Sequence, residues 1–298
     1  LTMETFTNRL IICSESNAPL AYTGTGNLSL LAGSPPNGSL VRKHKGRLWI
    51  AGVDANPHRI YYSQAFDSAT WSGIGTGNLD VDPDDNDPIG ITAIFPSFFG
   101  SLFVAKKNAI YQIVGSTPST FQVVPVVEGL GCLEHNSVAK AQNDIIFASD
   151  RGVHSLVQTQ KGVGIETEFI SFPLYSLWKT DVSRRRAKRM WGRFIGSLNS
   201  YVFLYAGGTS NYANQAVVYN IPLQAWSQWP NFNVSSMIEL EFSNKSTVLV
   251  GRNDGVVGTL DSDLYSNIGG EINPKLKVGP TLPAQVPYAD IGFKHLAI

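Results

Sequence analysis

One phrase recurs along this chain: a polar turn followed by a short run of Leu, Ile, Val, Phe and Tyr. It reads "HKGRLWIAG" from His44, then "FFGSLFVAK", "AQNDIIFAS", "SLNSYVFLY" and "SNKSTVLVG". Aligned on the turn at Arg9, Gly46, Gly100, Asp144, Ser200 and Ser246, the copies stand unevenly at about 47 residues. Such composition is that of β-strands, and in "RLWIA" Leu48 and Ile50 share one face. After a polar or glycine turn comes a second phrase: "HRIYYSQ", "NAIYQIVG", "RGVHSLVQ", "QAVVYNI" and "DGVVGTLD". The pair is a hairpin, with glycine at the Arg151-Gly152 and Asp254-Gly255 bends.

Two hairpin strands plus weaker flanking ones, such as "TFQVVPVV" at Thr120–Val127, make about four strands per repeat. That is the size of a propeller blade. Each blade would present an inward apolar strand pair to its neighbours, and only a ring buries every blade. The expected fold is therefore all-β, a β-propeller of about five to six blades over 1–268. An exit segment, 269–298, would begin a second β-domain. An array of β-sandwiches is the alternative. One helix is expected, at Leu174–Trp191, with Ser183 as its cap. Both ends look cut, as in the ordered part of a longer protein.

Charge narrows the class of partner. Lys plus Arg equals Asp plus Glu at 23 each, so no net field draws in nucleic acid or anionic membrane. Cys13 and Cys132 stand alone, without zinc-ligand spacing, and are expected as buried, reduced thiols, which points to assembly inside a cell. The most apolar stretch, Ile91–Ala105, is broken by Pro96 and Gly100 and is too short to span a bilayer.

Local signals for chemistry are sparse. The five histidines show no metal-binding spacing, and "GIGTGN" is followed by no helix. In "LDVDPDDNDP", Asp80, Asp82 and Asp84 offer alternate oxygen ligands for a hard cation. The segment lacks the glycine and the closing glutamate of a calcium loop, and a solvated acidic loop is the plainer reading. The basic run "SRRRAKRMWGR" carries Arg184, Arg185, Arg186, Lys188 and Arg189. On a helix, Arg185, Lys188 and Arg189 would share a face suited to an acidic partner or a phosphate. Trp71, Trp226 and Trp229 either stack on sugars or plug blade edges, the second being favoured. A glycosidase would need converging carboxylates, for which Asp144, Asp150, Asp254 and Asp261 are available. No catalytic, cofactor-binding or metal residue is assigned. The contact surfaces expected from length and polarity are the loops around Asp80–Asp87, Tyr175–Arg189 and Asn211–Gln215, with Asp85, Asp87, Asn211 and Tyr212 joining the basic run.

Read in order, "KGRLWIAGVDANPHRIYYSQAFDSATW", "VDPDDNDPIGITAI", "FGSLFVAKKNAIYQIVGSTPSTFQVVPVVEGLGC", "HNSVAKAQNDIIFASDRGVHSL" and "NSYVFLYAGG" resemble a known family. It is the β-propeller region of tail nozzle, or packaged-DNA stabilisation, proteins of short-tailed phages, matched from about Arg42 to Ile268. The resemblance implies a non-catalytic structural component of the virion tail, assembled in the host cytoplasm. Its partners would be copies of itself in a ring (a hexamer, in that family), the adaptor or connector, other tail proteins and, transiently, genomic DNA. A receptor- or carbohydrate-binding propeller is the alternative. The basic run is denser than the family pattern leads one to expect.

Overall fold

The computed structural model describes residues 1–15, 17–84, 87–158, 165–242, 245–260, 266–267 and 270–271. One compact unit spans Leu1–Asp263, and Leu264–Ile298 form a second. The first unit consists of six antiparallel sheets in sequence order. Blade 1 holds β1 (Thr2–Phe6), β2 (Arg9–Cys13), β3 (Leu20–Tyr22) and β4 (Ser29–Leu30). Blade 2 holds β5 (Leu40–His44), β6 (Arg47–Ala51), β7 (Arg59–Tyr62) and β8 (Gly77–Asp80). Blade 3 holds β9 (Ala93–Ile94), β10 (Leu102–Ala105), β11 (Ala109–Val114) and β12 (Gln122–Glu128). Blade 4 holds β13 (Ala139–Ala141), β14 (Asp144–Ala148), β15 (Val153–Gln158) and β16 (Ile165–Glu168). Blade 5 holds β17 (Trp191–Ile195), β18 (Ser200–Tyr205), β19 (Gln215–Asn220) and β20 (Ala225–Trp229). Blade 6 has three described strands, β21 (Val234–Phe242), β22 (Lys245–Arg252) and β23 (Val257–Leu260). The chain folds as a six-bladed β-propeller.

The repeated phrases are the second and third strands of the blades. They are not an inward pair, as the sequence suggested. The first strands converge on the axis, where Arg42 of β5 lies 3.9 Å from Glu4 of β1 and feels the charge of Arg193 on β17. The apolar strands sit in mid-blade because only there does a sheet have a neighbour against both faces. Every residue of β6, β10 and β18 is accordingly buried. Alternation divides them between neighbours: Leu48 and Ile50 pack with Phe6, Ile11 and Cys13 of blade 1, and Trp49 and Ala51 pack with Leu102, Val104 and Ile113 of blade 3. Five such clusters join consecutive blades from 1–2 through 5–6. Tight turns hold the first hairpin of three blades, through consecutive left-handed residues at Thr7–Asn8, Lys45–Gly46 and Phe99–Gly100.

The helical prediction was too long. A 3₁₀ turn at Phe172–Leu174 leads into α1 (Tyr175–Thr180), and a kinked 3₁₀ segment follows at Arg184–Arg189. Ser183 makes no side-chain capping bond. The interruption has a tertiary cause: Val182 bridges to Gly207, while Asp181 accepts hydrogen bonds from the Tyr205 hydroxyl (3.1 Å) and the Gly208 amide (3.1 Å).

Both cysteines are buried and free, and burial pushes each thiol up to about 12. His154 is stacked between Phe147 and Phe169, with centroid distances of 5.9 and 4.8 Å, and its Nε2 has no partner. Burial, with a smaller contribution from Arg151, pushes its pKa down to about 4. The unfolded chain therefore binds a proton that the folded chain refuses between about pH 6.5 and 4, and stability falls as pH drops through that window. His44 is also pushed down to about 4 by burial and acts in the same direction. In His154→Phe the fall in Tm between pH 6.5 and 4 is expected to be shallower than in the wild type, though not abolished. An unchanged slope in a thermal-melt series would show that His154 is not held neutral.

A candidate interaction face on one rim of the ring

Antiparallel order fixes where loops emerge. Turns joining strands one to two and three to four open at one end of a blade. Those joining two to three, and each blade to the next, open at the other. All three loops expected to make contacts fall on this second face: the blade 2–3 connector after Asp80, the blade 4–5 connector, and the β18–β19 loop carrying Asn211 and Tyr212.

The acidic connector is tied to its neighbours at several points. Asp80 forms a two-pronged pair with Arg59, at 2.6 and 2.9 Å, and those bonds hold its carboxyl below the usual range. Asp82 accepts the Tyr111 hydroxyl at 2.7 Å, and its carbonyl accepts the ammonium of Lys106, a side chain only 1% exposed that also meets His58 Nδ1 at 2.9 Å. Asp87 accepts the Ile89 amide at 2.9 Å, Asp84 is exposed, and Asp85 lies outside the described residues. Among the described residues no group of three or more His, Cys, Asp or Glu could hold a metal ion, so Asp80, Asp82 and Asp84 do not converge as ligands. Asp80, Asp82 and Asp87 line a cleft of about 530 Å³ together with Glu128.

The basic run does not present one helical face. At Arg186 the backbone leaves helical geometry (φ −109°, ψ 32°), and the cations diverge. Arg186 donates to the Gly208 carbonyl (3.3 Å), Arg184 to the Asp150 carbonyl (3.4 Å), and Arg189 lies 5.6 Å from the centre of the Tyr212 ring. Arg185 is exposed, as is Asn211. Lys188 pairs with Glu15, 173 residues away in the β2–β3 loop of blade 1. Asp54 of blade 2 and Glu134 of the blade 3–4 connector also raise the affinity of Lys188 for its proton. Glu134 itself is pushed up to about 7 by burial. A lysine from the blade 4–5 connector that senses carboxylates of blades 1 and 2 and of the blade 3–4 connector must lie near the axis. Lys188 and Glu15 are both well exposed, so their pairing adds little to stability.

Between this connector and blade 3 opens a cleft of about 350 Å³, lined by Ile89, Thr92, Lys107, Leu133, Asp150, Arg184 and Ala187. Sequence reasoning overlooked Lys107. Its only signal was the paired lysine closing the apolar strand in "LFVAKK", of which the first turns inward to Asp82 and the second lines the cleft.

The remaining polar candidates are held apart. Asp144 and Asp150 lie at opposite ends of β14, Asp144 accepting from Ser155 Oγ at 2.6 Å. Asp254 pairs with Arg252 at 2.8 Å, and Asp261 lies outside the described residues. Trp71 and Trp226 donate their indole N–H to the carbonyls of Ser68 and Ile170, and Trp229 packs on Phe232 at 5.3 Å. These tryptophans plug blade edges.

No family model and no curated protein matches the chain. Among solved structures, BBS1N in complex with ARL6DN is 13% identical, covering 87% of this chain and 76% of its own, with a TM-score of 0.48. The extracellular domain of a hybrid two-component system from B. thetaiotaomicron is 12% identical with a TM-score of 0.42. That of a one-component system from the same bacterium is 10% identical with a TM-score of 0.49. This chain covers 88% and 85% of its own length in the two bacterial matches but spans only 38% and 31% of theirs. Likeness at this level carries no argument about function.

Proposed function

We propose that this propeller is a non-catalytic structural module of a bacteriophage tail, of the nozzle type placed below the portal and adaptor. In this role it helps retain packaged DNA and forms part of the conduit for ejection. The observation that carries the reading is the use made of the polar loops. Asp82, Asp181 and Lys188, all in connectors between blades, bind groups on another blade, and Asp80 and Asp144 tie neighbouring strands within one, an arrangement that suits a rigid strut. The resemblance of the stretch from about Arg42 to Ile268 to the nozzle family suggests the virion context. Rigid blades bear the load, and the rim with Arg184–Arg189 and Tyr212 contacts neighbouring copies and adaptor or tail proteins. Zero formal net charge suits a conduit, because tight phosphate binding would resist ejection.

Immunogold electron microscopy tests this, using antibody raised against the chain on virions from the source lysate. Gold at the tail below the portal is expected. Unlabelled particles, with the antigen recovered only in the soluble fraction, would overturn the assignment.

A further inference from the structure

The cleft between blade 3 and the blade 4–5 connector has a composition that specifies an occupant. Its apolar surface comes from Ile89, Leu133 and Ala187, and Ile89 is 55% exposed. Lys107 and Arg184 also line it. Among the described residues no hydrogen bond or ion pair engages the Lys107 ammonium. Arg184 gives one N–H to a backbone carbonyl and, among the described residues, pairs with no carboxylate. The next residue, Arg185, is exposed. Among the described residues Asp150 is the only carboxylate in the lining, so this lining is cationic within a chain of zero formal net charge. The same connector exposes Phe172 (71%) and Tyr175 (51%), and Tyr212 beneath Arg189 is 52% exposed. Arginine and aromatic side chains standing together in this way are the residues enriched at protein interfaces.

We infer that this cleft is a binding site for an acidic peptide segment of a partner protein: one aliphatic residue on Ile89, Leu133 and Ala187, flanked by carboxylates on Lys107 and Arg184. A volume of about 350 Å³ holds a few side chains. Nucleic acid fits less well. A phosphate backbone is gripped by cations along a track, whereas these two share their cleft with three apolar side chains. Lys188 of the same connector is already given to Glu15, with Asp54 and Glu134 acting on it and repelling a polyanion. The inference goes beyond the tail assignment and stands without it, because it rests on the cleft alone.

The test is selection from a random dodecapeptide display library on the immobilised chain. Peptides with Asp or Glu next to Leu, Ile or Val are expected to be enriched about tenfold or more over the naive pool. In Lys107→Ala/Arg184→Ala that enrichment disappears. In Lys107→Glu/Arg184→Glu it passes to peptides carrying Lys or Arg. Lys140→Ala, an exposed cation on the inner strand β13, keeps it. Neither Lys107 nor Arg184 belongs to a buried cluster, so unchanged thermal melts are expected and separate loss of binding from loss of fold. No acidic consensus, or one that survives the charge reversal, would overturn the inference. So would tighter binding of a thymidine oligonucleotide than of the selected peptide.

Discussion

Trp49→Ala is expected to cost about 3–5 kcal/mol, the largest loss from any single truncation in the propeller. Trp49 is wholly buried and stands where blades 2 and 3 meet. Its ring lies 5.0 Å from that of Tyr62 and 5.1 Å from that of Phe121, and its indole N–H donates to the His44 carbonyl at 3.2 Å. Truncation opens a cavity between two sheets, each held by its own hydrogen-bonded ladder, so neither collapses readily into the space. The carbonyl of His44 also loses its donor. Urea unfolding should show a lower midpoint with an unchanged slope. Thermal melts should fall by roughly 6–20 °C for a domain of this size. A loss below about 1 kcal/mol would show that blades 2 and 3 do not share a core there.

Gly192→Ala is expected to be nearly as severe, from the opposite cause. A methyl group at this position in β17 would lie 2.2 Å from the Tyr201 hydroxyl oxygen and 2.3 Å from the Ser137 carbonyl oxygen. Those two atoms form a buried hydrogen bond of 2.7 Å that ties blade 5 to the turn preceding blade 4. The carbonyl belongs to the backbone and cannot swing aside, so the alanine must break the bond, shift the strand, or both. Overpacking together with a buried polar group left unsatisfied costs about 2–5 kcal/mol. Tyr201→Phe removes one of the obstructing atoms. In that background Gly192→Ala should cost less than it does alone, a coupling that a double-mutant cycle reads directly. Additive losses would place the clash elsewhere.

Much of the architecture was legible in the chain. Apolar runs of four to six residues bounded by polar turns identify strands because both the pattern and the turn chemistry act between neighbours in sequence. Thus "RLWIA", "LFVA" and "SYVFLY" are strands, "QVVPVVE" is a flanking strand, and their spacing gives blades. The same locality explains what was misread. Arg184–Arg189 carries a helical charge pattern, yet Val182 and Asp181 are drawn to the β18–β19 loop and the segment kinks. Both anchors come from a strand and loop lying later in the chain.

The candidate rim divides in the same way. Sequence picked out these loops by length and polarity, and it located the cations at 184–189. Only the ring could place Asp82 on Tyr111 and Lys188 on Glu15, and leave Lys107 beside an apolar cleft. The physical reason is distance along the chain. Strand formation is settled within one repeat of about 47 residues. Whether charges far apart in the chain meet, as Lys188 and Glu15 do, is settled between repeats, after the blades have closed around an axis and brought loops from opposite sides of the ring together.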